Sequence, residues 1–137
     1  MNLDFASVWE MISDIVPEND ALICGDEIIS WKDYDLQSSK IATALKNAGL
    51  GPNSKAGLYL NNSNEYLIGQ NAIFKIGGVP INVNYRYVAE ELIYLLDNSD
   101  SEAVFYHACY SSRIKEISGS LPNIKAWIEI ADGTKSE

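Results

Sequence analysis

The sequence predicts an α/β fold, with an open, doubly wound, mostly parallel sheet and a short hairpin near its start. From about residue 55 onward, short apolar runs alternate with segments whose apolar residues recur at helical spacing. The connections are short, and parallel neighbouring strands cannot be joined by tight turns, so each helix is expected to cross over between two strands. A chain of 137 residues can enclose one hydrophobic core, which predicts a single domain.

The first fifty residues predict two helices with a hairpin between them. Apolar side chains at positions 8, 11, 12 and 15 follow helical spacing and indicate an opening helix. Two brief apolar runs, at 21–24 and 27–29, flank a Gly-Asp pair, which is typical of a tight hairpin. Ser30 is placed to cap a second helix, and Gly49 is placed to end it.

Four strands and three intervening helices are predicted in the rest of the chain. The strands are expected at 55–60, 79–83, 103–106 and 125–130, and the helices at about 63–76, 88–98 and 111–118. Pro80 lacks an N–H group, so the second of these strands should lie at a sheet edge or have the proline at its start. Ligands of open α/β sheets bind beyond the carboxyl ends of the strands, which directs attention to the loops at Asn61, Asn84, His107 and Ala131.

The charge of the chain excludes several kinds of partner. Ten Lys and Arg residues stand against 19 Asp and Glu residues, which gives a net charge of −9 and opposes binding to nucleic acid or to anionic membrane surfaces. The N-terminus lacks the pattern of a targeting signal, and no apolar run is long enough to span a bilayer. The protein is therefore expected in the cytoplasm, with Cys24 and Cys109 as reduced core residues.

No catalytic or metal-binding residue follows from the residue pattern alone. His107 and Cys109 are close in sequence, but neighbours along one strand point in parallel and lack the third group that a nucleophilic dyad needs. Glu90 and Glu91 are explained by the positive end of the helix dipole at the start of their helix. A zinc site needs three or four converging ligands, and no such pattern is present.

Arg86 is the one candidate binding residue. It is one of two arginines, it lies between two tyrosines in a strand-to-helix loop, and that loop is expected at the functional edge of the sheet. A guanidinium group suits phosphate or carboxylate ligands, and neighbouring aromatic rings can stack on adenine. The alternative is an ion pair between Arg86 and Glu90 or Glu91, which the residues alone leave open.

Several sequence motifs follow one another in a fixed order: Ile29-Ser-Trp-Lys-Asp-Tyr34, Ala48-Gly-Leu-Gly51, Lys55-Ala-Gly-Leu-Tyr-Leu60 with Asn61-Asn-Ser-Asn-Glu65, Lys75-Ile-Gly-Gly-Val-Pro-Ile-Asn-Val-Asn-Tyr-Arg86, and Glu90-Glu-Leu-Ile-Tyr-Leu-Leu-Asp97. This order resembles the start of the AMP-forming acyl-CoA synthetases, which belong to the adenylate-forming enzyme superfamily. The resemblance covers about residues 5–130, and the sequence of the motifs is most similar to fatty-acyl or steroid-side-chain CoA ligases.

The resemblance implies a two-step reaction that uses ATP, Mg²⁺ and CoA. A carboxylic acid, here a fatty acid, attacks the α-phosphate of ATP and releases pyrophosphate. The CoA thiol then displaces AMP from the acyl-adenylate. In some CoA ligases the arginine at the position of Arg86 lies near the CoA nucleotide. The family's Ser/Thr/Gly-rich phosphate-binding loop and its catalytic lysine are not found in this sequence.

Residues 1–137 are therefore expected to be the N-terminal part of an AMP-binding domain, truncated before the phosphate-binding loop. Such a part should be inactive alone, should bind no cofactor tightly, and should have the remainder of the enzyme chain as its partner. Two alternatives stay open. One is a non-catalytic α/β binding module derived from the family, and the other is a fragment of an enzyme that adenylates another carboxylic acid.

Overall fold

A computed structural model describes residues 3–134 of the chain, so residues 1–2 and 135–137 at the ends of the predicted domain lie outside the described residues. These residues form five α-helices and six strands in the order that the sequence predicts, apart from differences of a few residues at their ends. In chain order they are α1 (Phe5–Ile15), β1 (Asp20–Cys24), β2 (Glu27–Ser30), α2 (Trp31–Asn47), β3 (Lys55–Tyr59), α3 (Asn64–Lys75), β4 (Val79–Asn82), α4 (Ala89–Asn98), β5 (Ser101–His107), α5 (Ser111–Ser118) and β6 (Ala126–Ile130).

The strands form two separate sheets. β1 and β2 pair as an antiparallel hairpin, while the other four strands form a parallel sheet in the order β4-β3-β5-β6. The chain moves outward from β3 to β4 and then returns to β5 on the other side of β3. This reversal confirms the predicted open, doubly wound α/β fold. Pro80 lies in β4 at the edge of the sheet, where its missing N–H leaves no interior hydrogen bond unmade.

Alternate residues of the central strands face two different hydrophobic clusters. Leu58 and Phe105 pack with α2 and α3 on one face of the sheet, whereas Tyr59 and Val104 pack with α4 and α5 on the other. β5 lies between two strands and is covered on both faces, which explains why the run at 103–106 is apolar or aromatic without a break. The helices on the two faces thus bury the central strands and leave their carboxyl ends at one edge of the molecule.

Side chains cap the helices largely where the sequence predicts. The Oγ atoms of Ser30 and Ser63 accept hydrogen bonds from backbone N–H groups three residues later, at 3.2 and 3.3 Å. Gly49 follows α2 with a φ of 91°, a conformation that a side chain disfavours, and so ends that helix. At α4 the carboxylate of Glu91 accepts a hydrogen bond of 2.8 Å from the N–H of Val88.

Helix α1 packs through Trp9 against a third hydrophobic cluster and not on the sheet; the buried residues of this cluster are Leu22, Ile29, Tyr34 and Ile68. The ring of Trp9 meets Tyr34 on α2 and Phe74 on α3 at centroid distances of 6.0 and 5.7 Å. Several apolar side chains of the helix stay exposed nonetheless, among them Phe5 and Ile15 at 65% and 71%. No helix within residues 3–134 is long and apolar enough to cross a membrane.

Candidate functional site

The point where the chain order of the parallel sheet reverses lies between β3 and β5. Asn61 follows β3 and His107 ends β5, and the backbone N–H of Asn61 donates a hydrogen bond of 3.1 Å to Nδ1 of His107. The His107 side chain is buried. Because Nδ1 accepts this bond, the neutral imidazole has its proton on Nε2. Two of the four loops that the sequence indicates are therefore in direct contact at this edge.

Two stacked tyrosines cover the same edge. The rings of Tyr59 on β3 and Tyr110, which lies just before α5, have centroids 4.5 Å apart and planes inclined by 31°. The hydroxyl of Tyr110 donates a hydrogen bond of 2.7 Å to Oδ1 of Asn61. Burial raises the pKa of both phenols, so both remain protonated donors at neutral pH. The sequence did not single out either residue, and the available signal was that an aromatic residue lies at the end of one predicted strand and another shortly after the next one in the sheet.

Arg86 is exposed in the loop between β4 and α4. Its backbone N–H donates a hydrogen bond of 3.0 Å to Oδ1 of Asn84, and this turn directs the residue out of the sheet. The guanidinium carbon lies 5.6 Å from the centre of the Tyr85 ring, at a cation–π distance. A cationic fork beside an exposed aromatic ring provides what a phosphate group and a planar base require.

The alternative pairing of Arg86 with the glutamates of α4 is not found. The carboxylate of Glu91 caps its own helix, and among residues 3–134 the ion pairs do not include one between Arg86 and either Glu90 or Glu91. Arg113 on α5, which the sequence did not single out, donates a hydrogen bond of 3.1 Å from Nη1 to the carbonyl oxygen of Tyr87. Both arginines of the chain therefore involve the same loop.

The prediction that the two cysteines are core residues is wrong. Both are free and exposed, Cys24 at the hairpin turn and Cys109 in the short 3-10 turn after β5. The Cys109 thiol is partly desolvated and lies near Asp132, and both effects raise its pKa and disfavour the reactive thiolate. The backbone N–H of Cys109 donates to Oδ2 of Asp132 at 2.9 Å. The turn that exposes Cys109 follows directly on β5, where the sequence had suggested only a strand end.

The described residues do not form a recognisable metal-binding cluster. Within residues 3–134, no three His, Cys, Asp or Glu side chains converge in a way that could hold a metal ion. None of these residues is therefore assigned to a metal.

The sequence matches the model of the AMP-binding enzyme family over residues 13–136. It is 37% identical over 135 residues to the medium/long-chain-fatty-acid–CoA/3-oxocholest-4-en-26-oate–CoA ligase of Mycobacterium marinum. It is also 35% identical over 134 residues to the 3-oxocholest-4-en-26-oate–CoA ligase of Rhodococcus rhodochrous. Each alignment covers 98% of this chain and 24% of the relative, so the chain spans about a quarter of the length of these relatives.

Solved structures share the fold at lower sequence identity. A putative long-chain-fatty-acid CoA ligase from Rhodopseudomonas palustris superposes with a TM-score of 0.89 at 21% identity, over 98% of this chain and 34% of that one. An anthranilate CoA ligase in complex with anthranoyl-AMP gives a TM-score of 0.87 at 21% identity, over 95% of this chain and 25% of that one. The resemblance to acyl-CoA ligases that the motifs predict is thus confirmed, and the chain belongs to the AMP-binding enzyme family.

Proposed function

We propose that this chain is the N-terminal part of an ATP-dependent, AMP-forming acyl-CoA ligase that acts on fatty acids in the cytoplasm. The named relatives, which act on fatty acids or on a steroid acid by their descriptions, support this substrate class because they align with nearly the whole chain. The proposal includes the boundary expected from the sequence: residues 1–137 precede the phosphate-binding loop of the family.

The exposed guanidinium of Arg86 is the observation on which the proposed role of this chain depends. In the proposed reaction an acyl-adenylate forms from ATP, and the CoA thiol then displaces AMP. Arg86 would bind a phosphate group of the CoA nucleotide, and the Tyr85 ring beside it offers a face for adenine. The loop faces the carboxyl ends of the strands, where open α/β sheets bind their ligands.

The described residues offer no comparable binding site for ATP or Mg²⁺. The glycines at 49 and 77 have positive φ and end helices, whereas phosphate-binding glycines begin them. Within residues 3–134 no three His, Cys, Asp or Glu side chains converge on a point, so we assign no Mg²⁺ ligand there. We therefore assign no step at the α-phosphate to this part of the enzyme, and we propose that residues 1–137 are inactive on their own.

The remainder of the enzyme chain is the partner we propose for the β6 edge of the sheet. β6 pairs only with β5 in the described chain, and its residues 126–128 contact both core clusters while remaining half-buried. Parallel sheets are normally covered on both faces and continue with apolar strands. A strand or helix from the rest of the ligase would complete this cover.

A chimera tests the proposed function. Residues 1–137 would replace the matching segment of the Mycobacterium marinum relative, and the chimera would be assayed for pyrophosphate release with ATP and a fatty acid, and for acyl-CoA formation. We expect both activities in the chimera and neither in residues 1–137 alone. A folded chimera that releases no pyrophosphate with any fatty acid would contradict the proposal.

The Arg86→Ala variant of the chimera tests the CoA contact. Loss of a charge-assisted contact to phosphate should raise the apparent KM for CoA by about tenfold and leave pyrophosphate release unchanged. Lys40→Ala is the matched control, because it removes another exposed cation, from α2 and away from the β4–α4 loop. An unchanged CoA dependence in Arg86→Ala would remove the proposed role.

A further inference from the structure

The carbonyl oxygen of Tyr87 accepts hydrogen bonds from two elements outside its own loop. The hydroxyl of Tyr59 on β3 donates at 3.2 Å, and Nη1 of Arg113 on α5 donates at 3.1 Å. A carbonyl oxygen has two lone pairs and can accept both bonds at once. Tyr87 directly follows Arg86, so these two donors hold the backbone next to the guanidinium.

The other described hydrogen bonds of the loop are almost all local. The N–H groups of residues 86 and 87 donate to Asn84, and that of residue 88 donates to Glu91 in the first turn of α4. These bonds shape the loop without attaching it to the sheet. At its start, the N–H of Val83 donates to the carbonyl oxygen of Leu58. Beyond that point, the described hydrogen bonds that attach the loop to other elements are those to the carbonyl of Tyr87, and they act together with the packing of the Tyr87 ring on the core cluster that contains α4 and α5.

The two donors are themselves fixed by their surroundings. Tyr59 is buried and stacked on Tyr110, and burial raises the pKa of its phenol, which keeps the donating proton in place. The Arg113 side chain is one-third exposed, and its Nε atom lies 3.7 Å from Oε2 of Glu116, one turn along α5. Because Glu116 is 61% exposed, this ion pair is weak, and the bond to the carbonyl of Tyr87 is the main contact that orients Arg113.

We propose that Arg113 is a positioning residue for CoA binding: its hydrogen bond to Tyr87 holds the β4–α4 loop where Arg86 meets the CoA phosphate. This inference rests on the proposed function, and Arg113 itself does not contact CoA. A loop that is held before the ligand arrives loses less conformational freedom on binding, so the ligand binds more tightly. Loss of the Arg113 bond should therefore weaken CoA binding while leaving adenylate formation intact.

Limited proteolysis tests the loop without reference to CoA. Trypsin cleaves after arginine and can therefore cut between residues 86 and 87. To fit the active site of the protease, the loop must first detach from the rest of the protein. In the chimera, Arg113→Ala should speed cleavage between residues 86 and 87 by about tenfold, because a bond to a charged donor is lost. Glu116→Gln, which leaves the carbonyl contact in place, should cleave at the original rate. Tyr59→Phe keeps the stacked ring and should give a smaller acceleration, which supplies a second variant if Arg113→Ala fails to fold.

Steady-state kinetics on the same variants test the consequence for CoA. Arg113→Ala should raise the apparent KM for CoA by about tenfold with pyrophosphate release unchanged. Arg113→Lys, which retains a cationic donor but loses the planar fork, should restore part of the loss. Glu116→Gln should match the unmodified chimera. An unchanged cleavage rate in both Arg113→Ala and Tyr59→Phe overturns the inference.

The kinetic outcome also separates this inference from the proposed function. If Arg86→Ala raises the KM for CoA but Arg113→Ala leaves it unchanged, the inference is overturned. An unchanged KM in Arg86→Ala, or a chimera without pyrophosphate release, contradicts the proposed function instead. The trypsin result then still decides whether Arg113 holds the loop.

Discussion

Lys75 joins three helices through one ammonium group, and Lys75→Met is expected to destabilise the fold markedly. Its Nζ atom lies 2.5 Å from Oε1 of Glu10 on α1 and 2.7 Å from Oδ1 of Asp35 on α2. Only 7% of the Lys75 side chain is exposed. Methionine fills a similar volume but removes the charge, and the two carboxylates are then left next to each other without a cation.

The magnitude follows from the exposure of the three groups. Removing one member of a fully buried ion pair costs about 3–5 kcal/mol. The side chains of Glu10 and Asp35 are 52% and 33% exposed, so water compensates part of the lost interaction. We therefore expect Lys75→Met to lower the free energy of unfolding by about 2 kcal/mol.

Urea unfolding followed by tryptophan fluorescence measures this loss, because Trp9 and Trp31 lie in the cluster formed by the same helices. Lys32→Met is the matched control: its pair with Glu18 spans 3.9 Å between side chains that are 65% and 80% exposed. The control should cost less than about 0.5 kcal/mol. Equal unfolding midpoints for the Lys75 and Lys32 variants would refute the reasoning.

The stability that the ion pairs of Lys75 contribute should depend on pH in a defined way. Burial alone would lower the pKa of Lys75, but hydrogen bonds and charges from Asp35 and Glu10 outweigh burial and raise it. A raised pKa in the folded state means that the contribution to stability is complete below the unfolded lysine pKa of about 10.4. The contribution is lost as pH rises through the higher folded value.

Two further predictions concern the core. Burial raises the pKa of Tyr34, so the free energy of unfolding should fall as pH rises above about 10. Urea titrations at successive pH values should show a smaller fall in Tyr34→Phe, and the same fall in both proteins would contradict this. A Cβ added at Gly57 would lie 3.0 Å from Leu96, whereas at Gly69 in α3 the nearest atom is 3.4 Å away. Gly57→Ala should therefore lower the free energy of unfolding by about 1–3 kcal/mol, and Gly69→Ala should be neutral or stabilising by up to about 1 kcal/mol. Equal thermal shifts in the two variants would exclude this explanation.

Local signals were sufficient to predict the order of helices and strands. Ser30 and Gly49 act within three or four residues of their own positions, so their effect on a helix end can be read from the sequence. Pro80 likewise indicated either a sheet edge or a strand start, because the missing N–H is a property of the residue itself. The doubly wound sheet then followed from the alternation of strands and helices.

Contacts between distant parts of the chain could not be predicted in the same way. Arg113 and the carbonyl of Tyr87 are 26 positions apart, and nothing local indicates that α5 would direct a guanidinium at that loop. The exposure of Cys109 depends on the turn after β5 and on Asp132, 23 positions away. Cysteine composition favours burial, but it does not determine how one turn packs.

The two edges of the parallel sheet differ in a way that favours the proposed partner. β4 contains Pro80, which cannot donate to another strand, and this is a common protection of a natural sheet edge. β6 has no proline, and Glu129 is its only charged residue. Trp127 and Ile128 on its two faces contact opposite core clusters, an arrangement typical of a strand covered on both sides. The composition of β6 therefore supports the proposal that the rest of the ligase covers this edge, independently of the length of the chain.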